Sequence, residues 1–466
     1  MQLPLKKGLF ERLDWRRGVF RGWAVGLIAF LFFLFLPQVF APLISQALNP
    51  IFPIGSFDLV LVLGSAGIFV LMALGLNVVV GFAGLLDLGY AAFFAIGAYS
   101  YGLANLGTAQ VGDHTLKFAI WPLLLAAPVI AAMFGIILGA PTLRLRGDYL
   151  AIVTLGFGEI VPIVFQNISQ VSWNLPLVGP VSFNLGGANG FLGLDRPATL
   201  NLPFQTIMFT LNDSANFYYL VFALVIIATI GLVMLRKSRI GRAWVAIRED
   251  ETAAACSGVN LVATKLTAFA IGASVSGFAG VLYGSQYGVI SPESFMFVVS
   301  ITILVMIVLG GMGSIPGVIT GALILGLINR LIVVVPTLFQ NPDSLLYVSS
   351  RSLQEQIPRY LNDSQSLIYG IILLLVILLR PQGLIPSAIR KRELKGESLA
   401  VVEKEGSKVL MEVPSETPES SAEIGAFEEL ELAQAEVVVE SLDRSGEGSG
   451  YDASPGLGGT SGGASK

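Results

Sequence analysis

The chain has 466 residues, of which 54% are hydrophobic and 13% are charged, with a formal net charge of -4. Its mean hydropathy of +0.75 lies well outside the range of soluble globular proteins. This composition excludes an ordinary soluble enzyme and predicts a protein that needs lipid.

Long apolar runs follow one another through most of the chain. A helix of about 20 residues spans a hydrocarbon core of about 30 Å, and about ten runs reach or approach that length. The runs are continuous rather than alternating, which predicts helices and not the strands of a barrel. The sequence therefore predicts an all-α integral membrane protein, a polytopic bundle of about ten transmembrane helices. The predicted spans are residues 23–44, 59–80, 86–104, 120–140, 150–167, 218–235, 266–283, 295–309, 317–335 and 366–379.

Basic residues predict how these spans are oriented, because cytoplasmic loops carry an excess of Lys and Arg. The basic N-terminus, residues 1–22, is predicted to be cytoplasmic, and alternation then places every dense basic cluster on the same side. Both termini of this multi-pass chain are therefore predicted to be cytoplasmic. The later clusters are Arg144 and Arg146; Arg236, Lys237, Arg239, Arg242 and Arg248; and Arg380, Arg390, Lys391 and Arg392.

The composition divides the chain into a membrane part and a tail. Residues 23–392 form the predicted transmembrane domain, with a cytoplasmic loop at 236–265. Residues 393–466 are rich in Glu, Ser and Gly and hold about half of the acidic residues, so they are predicted to be a disordered acidic tail. Without this tail the membrane part is net basic.

Glycine and polar residues interrupt the apolar pattern at residues 75–90, where two continuous helices would otherwise stand. Irregular backbone at membrane depth is tolerated only where protein or a water-filled cavity surrounds it, so this broken segment is where we expect a translocation path. Acids inside spans also mark such paths, although they can equally bond to a neighbouring helix. The predicted path residues are Asn77, Gly81, Gly84, Asp87, Tyr90 and Glu159.

Several motifs in family order resemble one class of transport protein. Residues 75–99 (GLNVVVGFAGLLDLGYAAFFAIGAY) and 146–160 (RGDYLAIVTLGFGEI) are similar to signatures of the M-type permease subunit of branched-chain amino-acid ABC importers. The resemblance continues at residues 187–190, 241–255, 309–314 and 380–383, and it leaves out the tail. It implies a pore-forming subunit of an ATP-driven importer in a bacterial inner membrane.

The loop at 236–265 is where this resemblance implies coupling to a motor. In ABC importers a short cytoplasmic helix, with a loose pattern of Glu-Ala-Ala, three residues and Gly, docks into a groove of the ATPase. Residues 252–258 are the nearest match, but Thr252 stands where the pattern has glutamate. A short helix with a glycine at its C-terminal cap is the alternative interpretation. The predicted coupling residues are Glu251, Thr252, Ala253, Ala254 and Gly258.

The resemblance also implies partners, namely a second homologous permease subunit, two ABC ATPase subunits and a periplasmic substrate-binding protein, in addition to membrane lipid. The sequence has no Gly-x-x-x-x-Gly-Lys-Ser/Thr phosphate loop, so ATP is expected on the partner subunits and no cofactor in this chain. With one histidine and one cysteine, neither a metal site nor a nucleophilic triad is predicted, and the chain is not expected to be an enzyme. No nucleic-acid partner is predicted.

The substrate is implied only by the family. Branched-chain or other neutral amino acids are the default cargo, and the Leu-Asp-Leu-Gly-Tyr sequence at 86–90 is closer to the amino-acid branch than to the urea branch. Two alternatives stay open from sequence. One is an ABC permease for urea or short amides, and the other is a stand-alone secondary transporter with Asp87 and Glu159 as its ion sites.

Overall fold

A computed structural model of the chain describes residues 31, 33–43, 59–111, 114–142, 148–175, 179–194, 200–201, 206–207 and 214–340, with single positions between 356 and 385. All of these fall in one compact unit, Met1–Gly396. The basic N-terminus, part of the predicted first span, most of the predicted tenth span and the acidic tail lie outside the described residues.

Helices dominate the described part of the chain, as the continuous apolar runs predict. We number the α-helices of these residues in chain order. They are α1 (Leu59–Leu76), α2 (Ala91–Asn105), α3 (Ile120–Thr142), α4 (Asp148–Asn167), α5 (Ser214–Lys237), α6 (Arg239–Glu249), α7 (Glu251–Cys256), α8 (Leu261–Tyr287), α9 (Phe297–Gly310) and α10 (Ile315–Gln340). Short π-helical segments occur at Leu36–Phe40 and Asn77–Phe82, and 3-10 turns occur at Gly187–Asn189 and Pro292–Phe295.

The described helices confirm an all-α polytopic membrane protein. Among the described residues, six helical stretches are long and apolar enough to cross a membrane. Because part of the predicted first span and most of the predicted tenth span lie outside these residues, the total of about ten stays a prediction. The predicted third span started at residue 86, whereas α2 begins at Ala91. The amides of Leu88 and Gly89 bond to the side chains of Thr154 and Asp87 instead of to helical carbonyls. The six stretches are Leu59–Phe82, Ile120–Thr142, Tyr149–Asn167, Ala215–Lys237, Leu261–Tyr287 and Pro292–Gly310.

Short antiparallel strands, which the sequence analysis did not predict, lie where α2, α4 and α8 end. A four-stranded sheet has the order β2-β1-β4-β3, and it joins the link between α2 and α3 to the link between α4 and α5. We call this side of the bundle the strand end, and the opposite side, where α5 and α6 carry their basic residues, the basic end. The strands are β1 (Ala109–Val111), β2 (His114–Leu116), β3 (Gln170–Leu175), β4 (Gly179–Asn184), β5 (Phe191–Leu192), β6 (Leu200–Asn201), β7 (Thr206–Ile207) and β8 (Val289–Ile290).

Helix α8 lies at the centre of the bundle and packs against α1, α2 and α3. Glycines allow this close approach, since a Cβ on Gly97 of α2 would lie 2.6 Å from the Cα of Gly277 in α8. Helices α4 and α5 are peripheral, because only 28% and 17% of their apolar stretches are buried.

Candidate functional site

The end of α1 is irregular, which confirms the predicted broken segment. Its last turn widens into the π-helix Asn77–Phe82, Gly84 adopts a left-handed conformation with φ of 71°, and α2 starts only at Ala91. The Ala83 amide donates to the Val78 carbonyl at 3.1 Å and the Leu85 amide to the Val79 carbonyl at 3.0 Å. Carbonyls at such a helix end need partners from elsewhere in the fold.

Arg248, at the end of α6, supplies a partner for the Gly81 carbonyl. Its Nη1 donates a hydrogen bond of 2.6 Å to this oxygen, across 167 residues of sequence. The stem of Arg248 packs against Gly84, where an added Cβ would lie 2.7 Å from the arginine Cγ. The guanidinium of Arg236 lies 5.6 Å from the centre of the Phe82 ring. Two positive charges thus stand at the negative end of the α1 dipole.

Asn77 connects the broken segment to a second irregular turn. Its side-chain Oδ1 accepts a hydrogen bond of 2.9 Å from the amide of Gly313, and Asn77 is fully buried. Gly313 lies between α9 and α10, in a turn where Gly311 and Gly313 have φ of 113° and 78°. The motif at 309–314 and the motif at 75–99 therefore meet in space.

A third motif of the sequence joins the same place. The amides of Leu384 and Ile385 donate to the carbonyls of Leu309 and Gly310 at 2.8 and 3.0 Å, which covers the end of α9. Gly383 approaches so closely that a Cβ there would lie 2.6 Å from the amide nitrogen of Gly311. This contact requires a glycine at position 383 of the motif.

The remaining residues of the broken segment are held between α4 and α8. Asp87 is buried, and its Oδ1 accepts a hydrogen bond of 2.9 Å from the Gly89 amide. The Leu88 amide donates to the Thr154 hydroxyl of α4 at 3.1 Å. On the other side, the Tyr90 hydroxyl donates to the Gly272 carbonyl of α8 at 2.9 Å. The segment therefore links the central helix to a peripheral one.

The predicted path residues thus fall into two groups. Five of them, Asn77, Gly81, Gly84, Asp87 and Tyr90, lie in the broken segment, while Glu159 is exposed on α4. None of the six lines the cavity of about 380 Å³ between α1, α2, α8 and the start of α9. That cavity carries the hydroxyls of Ser65, Tyr283, Tyr287 and Ser294. A role of the six residues in a path stays a prediction.

The predicted coupling residues form a short, exposed and well-capped helix, α7. Asp250 caps its first turn, since its Oδ1 accepts from the amides of Thr252 and Ala253 at 2.7 and 2.9 Å. Glu251 pairs with the buried Lys265 of α8 at 2.6 Å. Ala254 faces inward, whereas Thr252 and Ala253 are exposed. Helix α7 therefore exposes small side chains to solvent, while the ion pair of Glu251 with Lys265 anchors it to α8.

The C-terminal end of α7 has the hydrogen bonds of a Schellman motif. The amide of Gly258 donates to the Ala255 carbonyl at 3.0 Å, and the amide of Val259 donates to the Ala254 carbonyl at 3.1 Å. Gly258 has φ of 82°, and no atom lies within 4 Å of where its Cβ would be. The glycine is thus needed for its backbone conformation, and the surrounding space is open.

Helix α6 fixes α7 and Arg248 to the bundle. Its buried residues are Gly241, Trp244 and Ile247, which share one face of the helix. The Trp244 indole donates to the Thr264 carbonyl of α8 at 2.8 Å. Trp244, Arg248 and Lys265 were not predicted from the sequence to be functional residues. Their partners lie 14 to 167 residues away along the chain, and two of these partners are backbone carbonyls. The only signal was the position of Arg248 directly before the acidic run at 249–251.

Residues 59–377 match the family described as branched-chain amino acid transport system / permease component. The chain belongs to this family. It is 37% identical over 344 residues to the high-affinity branched-chain amino acid transport system permease protein LivM of Escherichia coli K12 and of Salmonella typhimurium LT2, with 70% of each chain covered. No solved structure matches the chain.

More distant relatives include a permease of a second type and an archaeal LivM. The LivH permease protein of the same named system in Escherichia coli K12 is 28% identical over 264 residues, which cover 56% of this chain and 81% of LivH. The probable LivM protein of Methanocaldococcus jannaschii is 25% identical over 363 residues, or 71% and 94% of the two chains. These findings identify a multi-pass permease component, and they favour the importer over the urea and stand-alone alternatives.

Proposed function

We propose that this chain is one permease subunit of an ATP-driven importer that carries branched-chain amino acids across a bacterial inner membrane. Its similarity to both LivM and LivH supports a complex with a second, homologous permease subunit. Two ABC ATPases would supply the energy, and a periplasmic binding protein would deliver the amino acid. The basic end would face the cytoplasm, because positive charge is retained on that side.

The hydrogen bond between Arg248 and the Gly81 carbonyl is the observation that carries the mechanism. Helix α7 is exposed and docks on an ATPase, while the Glu251 to Lys265 pair ties it to α8. Helix α6 is expected to move together with α7, because Asp250 is both the C-cap of α6 and the N-cap of α7. A displacement of this unit moves Arg248, which acts directly on the irregular end of α1.

An irregular helix end suits this task. A π-helical turn and a left-handed glycine make the segment after Asn77 easier to rearrange than a regular helix, because fewer of its backbone hydrogen bonds follow the helical pattern. Its contacts with Gly313, Gly272 and Thr154 carry the displacement to the turn before α10, to α8 and to α4. Motion at the basic end can therefore reach most of the bundle through one segment.

Affinity purification of the full-length chain from its native membrane tests the proposal. We expect a second permease and ABC ATPases at stoichiometric levels, and we expect proteoliposomes of this complex to take up leucine when ATP and the binding protein are present. Repeated recovery of this chain alone would contradict the importer. Uptake of urea without competition from leucine, isoleucine or valine would contradict the substrate.

A further inference from the structure

The outward face of α4 combines apolar side chains with one carboxylate. Residues on this face recur every three or four positions, as expected for a single side of a helix. The opposite face packs on the broken segment, where Gly158 comes so close that a Cβ there would lie 2.9 Å from the Cα of Gly89. The outward face is formed by Tyr149 at 71% exposure, Ile152 at 63%, exposed Gly156 and Glu159, and Ile160 and Ile163 at 52% each.

Glu159 lies near the middle of α4, a helix long and apolar enough to cross a membrane. Helix α4 starts at Asp148, so at 1.5 Å per residue Glu159 stands roughly 16 Å along the helix, about half of a 30 Å hydrocarbon core. Within the described part of the chain, no hydrogen bond or ion pair is found for its carboxylate. Its neighbours on this face, Ile152, Ile160 and Ile163, are apolar.

Lipid is an unfavourable surrounding for this face. A charged carboxylate at the centre of a bilayer is costly, and such groups normally face a bundle interior or a water-filled cavity. ATPases and binding proteins are soluble and reach only the membrane surfaces. The partner of this face must therefore itself be embedded in the membrane.

Gly156 indicates how close this partner comes. No atom lies within 4 Å of where its Cβ would be, so one turn from Glu159 the helix surface has a shallow groove. Small residues of this kind allow another helix to approach closely. The second permease subunit is the intramembrane partner that the proposed function supplies.

We infer that the outward face of α4 forms one wall of the translocation path at the interface with the second permease subunit, and that Glu159 binds the ammonium group of the amino acid there. This inference rests on the proposed function. A branched-chain amino acid is a zwitterion with an apolar side chain, which matches one carboxylate among isoleucines. The contacts of α4 with residues 88 and 89 place this wall under the control of the segment that Arg248 holds.

Photo-cross-linking in the assembled wild-type complex tests the interface. A benzoylphenylalanine at Ile160 should cross-link to the second permease subunit. The control is Ile227 of α5, which is equally apolar and 65% exposed but lies on a helix whose only charged residues are in its last turn, and which should label lipid only. Labelling of lipid alone at Ile160 would overturn the interface.

Leucine uptake by reconstituted complexes tests the role of the carboxylate. Glu159→Gln should lower uptake about tenfold or more, because it leaves the ammonium group without its counter-charge, while Glu159→Asp should recover part of the rate. Subunit stoichiometry should stay at the wild-type value. Wild-type uptake by the Gln variant would overturn the assignment of Glu159. If the wild-type complex takes up no branched-chain amino acid but Ile160 still cross-links, the proposed substrate and the role of Glu159 fail and the interface stands.

Discussion

Helices α8 and α4 are equally apolar by mean hydropathy, yet 61% of the apolar stretch is buried in α8 and only 28% in α4. Glycines of α8 contact neighbouring backbones directly, whereas Gly156 of α4 has no neighbour within 4 Å. Apolarity therefore brings both helices into the membrane, and the distribution of small and charged residues decides which one forms the core. One helix supports the fold, and the other leaves a face for a partner.

The largest expected effect comes from adding a side chain to the central helix. A Cβ on Gly280 would lie 2.5 Å from the Ala98 amide nitrogen and 2.6 Å from the Phe94 carbonyl oxygen, so Gly280→Leu should abolish the folded protein. Gly156→Leu on α4 is the matched control, and we expect its melting temperature in detergent to equal that of the wild type. Size-exclusion chromatography with heating measures both. Equal stability of the two variants would contradict the distinction between these helices.

A second large effect should follow from loss of the link that joins the basic end to α1. Arg248→Ala removes the hydrogen bond to the Gly81 carbonyl, and we expect uptake to fall about tenfold or more because a buried acceptor loses a charged donor. ATP hydrolysis by the complex should continue, so the ratio of transported substrate to hydrolysed ATP is the measurement. Arg248→Lys should restore part of the coupling. A parallel fall of transport and hydrolysis would indicate a structural role alone.

A smaller effect is expected at the end of α7. Gly258→Val forces a β-branched residue into a left-handed conformation at a cost of about 1–2 kcal/mol, and it places a bulky group on the exposed coupling surface. We expect insertion to be normal and coupling to fall several-fold. Gly258→Asn, which tolerates this conformation, should retain more coupling. Normal uptake by the Val variant at normal expression would count against α7 as the coupling helix.

The smallest effect concerns a residue of the broken segment that contacts the central helix. Tyr90→Phe removes the hydrogen bond to the Gly272 carbonyl, and it should lower the free energy of unfolding by about 0.5–1.5 kcal/mol. Uptake per folded molecule should stay unchanged. A fall in uptake without any loss of stability would instead support the sequence-based placement of Tyr90 in the path.

The sequence predicted the location of the broken segment but not the contacts that give it a function. Glycines and polar residues at 75–90 were sufficient to predict the interruption. The Gly313 amide that bonds Asn77 lies 236 residues away, and no local pattern identifies such a pair. Gly383, from the motif at 380–383, packs against Gly311 of the motif at 309–314, and neither motif alone predicts this contact.

The strands at one end of the bundle were also missed from sequence. Val171, Ser172 and Trp173 alternate in a way that fits a strand, but the segment is short and lies between strong apolar runs. The pairing of β1 with β4 joins two links that are separated in sequence by the helices α3 and α4. It depends on how α2 and α4 pack. Apolar runs thus predict the helices well, whereas links between them are decided by the assembled fold.

The chain's single cysteine lies exposed on α7, among the small residues of the proposed docking surface. Its thiol is therefore a native reporter whose reactivity follows occupancy of that surface. A maleimide added from the basic end should modify Cys256 rapidly in the isolated chain and slowly once an ATPase covers α7. Release of the motor during turnover would then be recorded as a labelling rate on one atom, with no engineered probe in the protein.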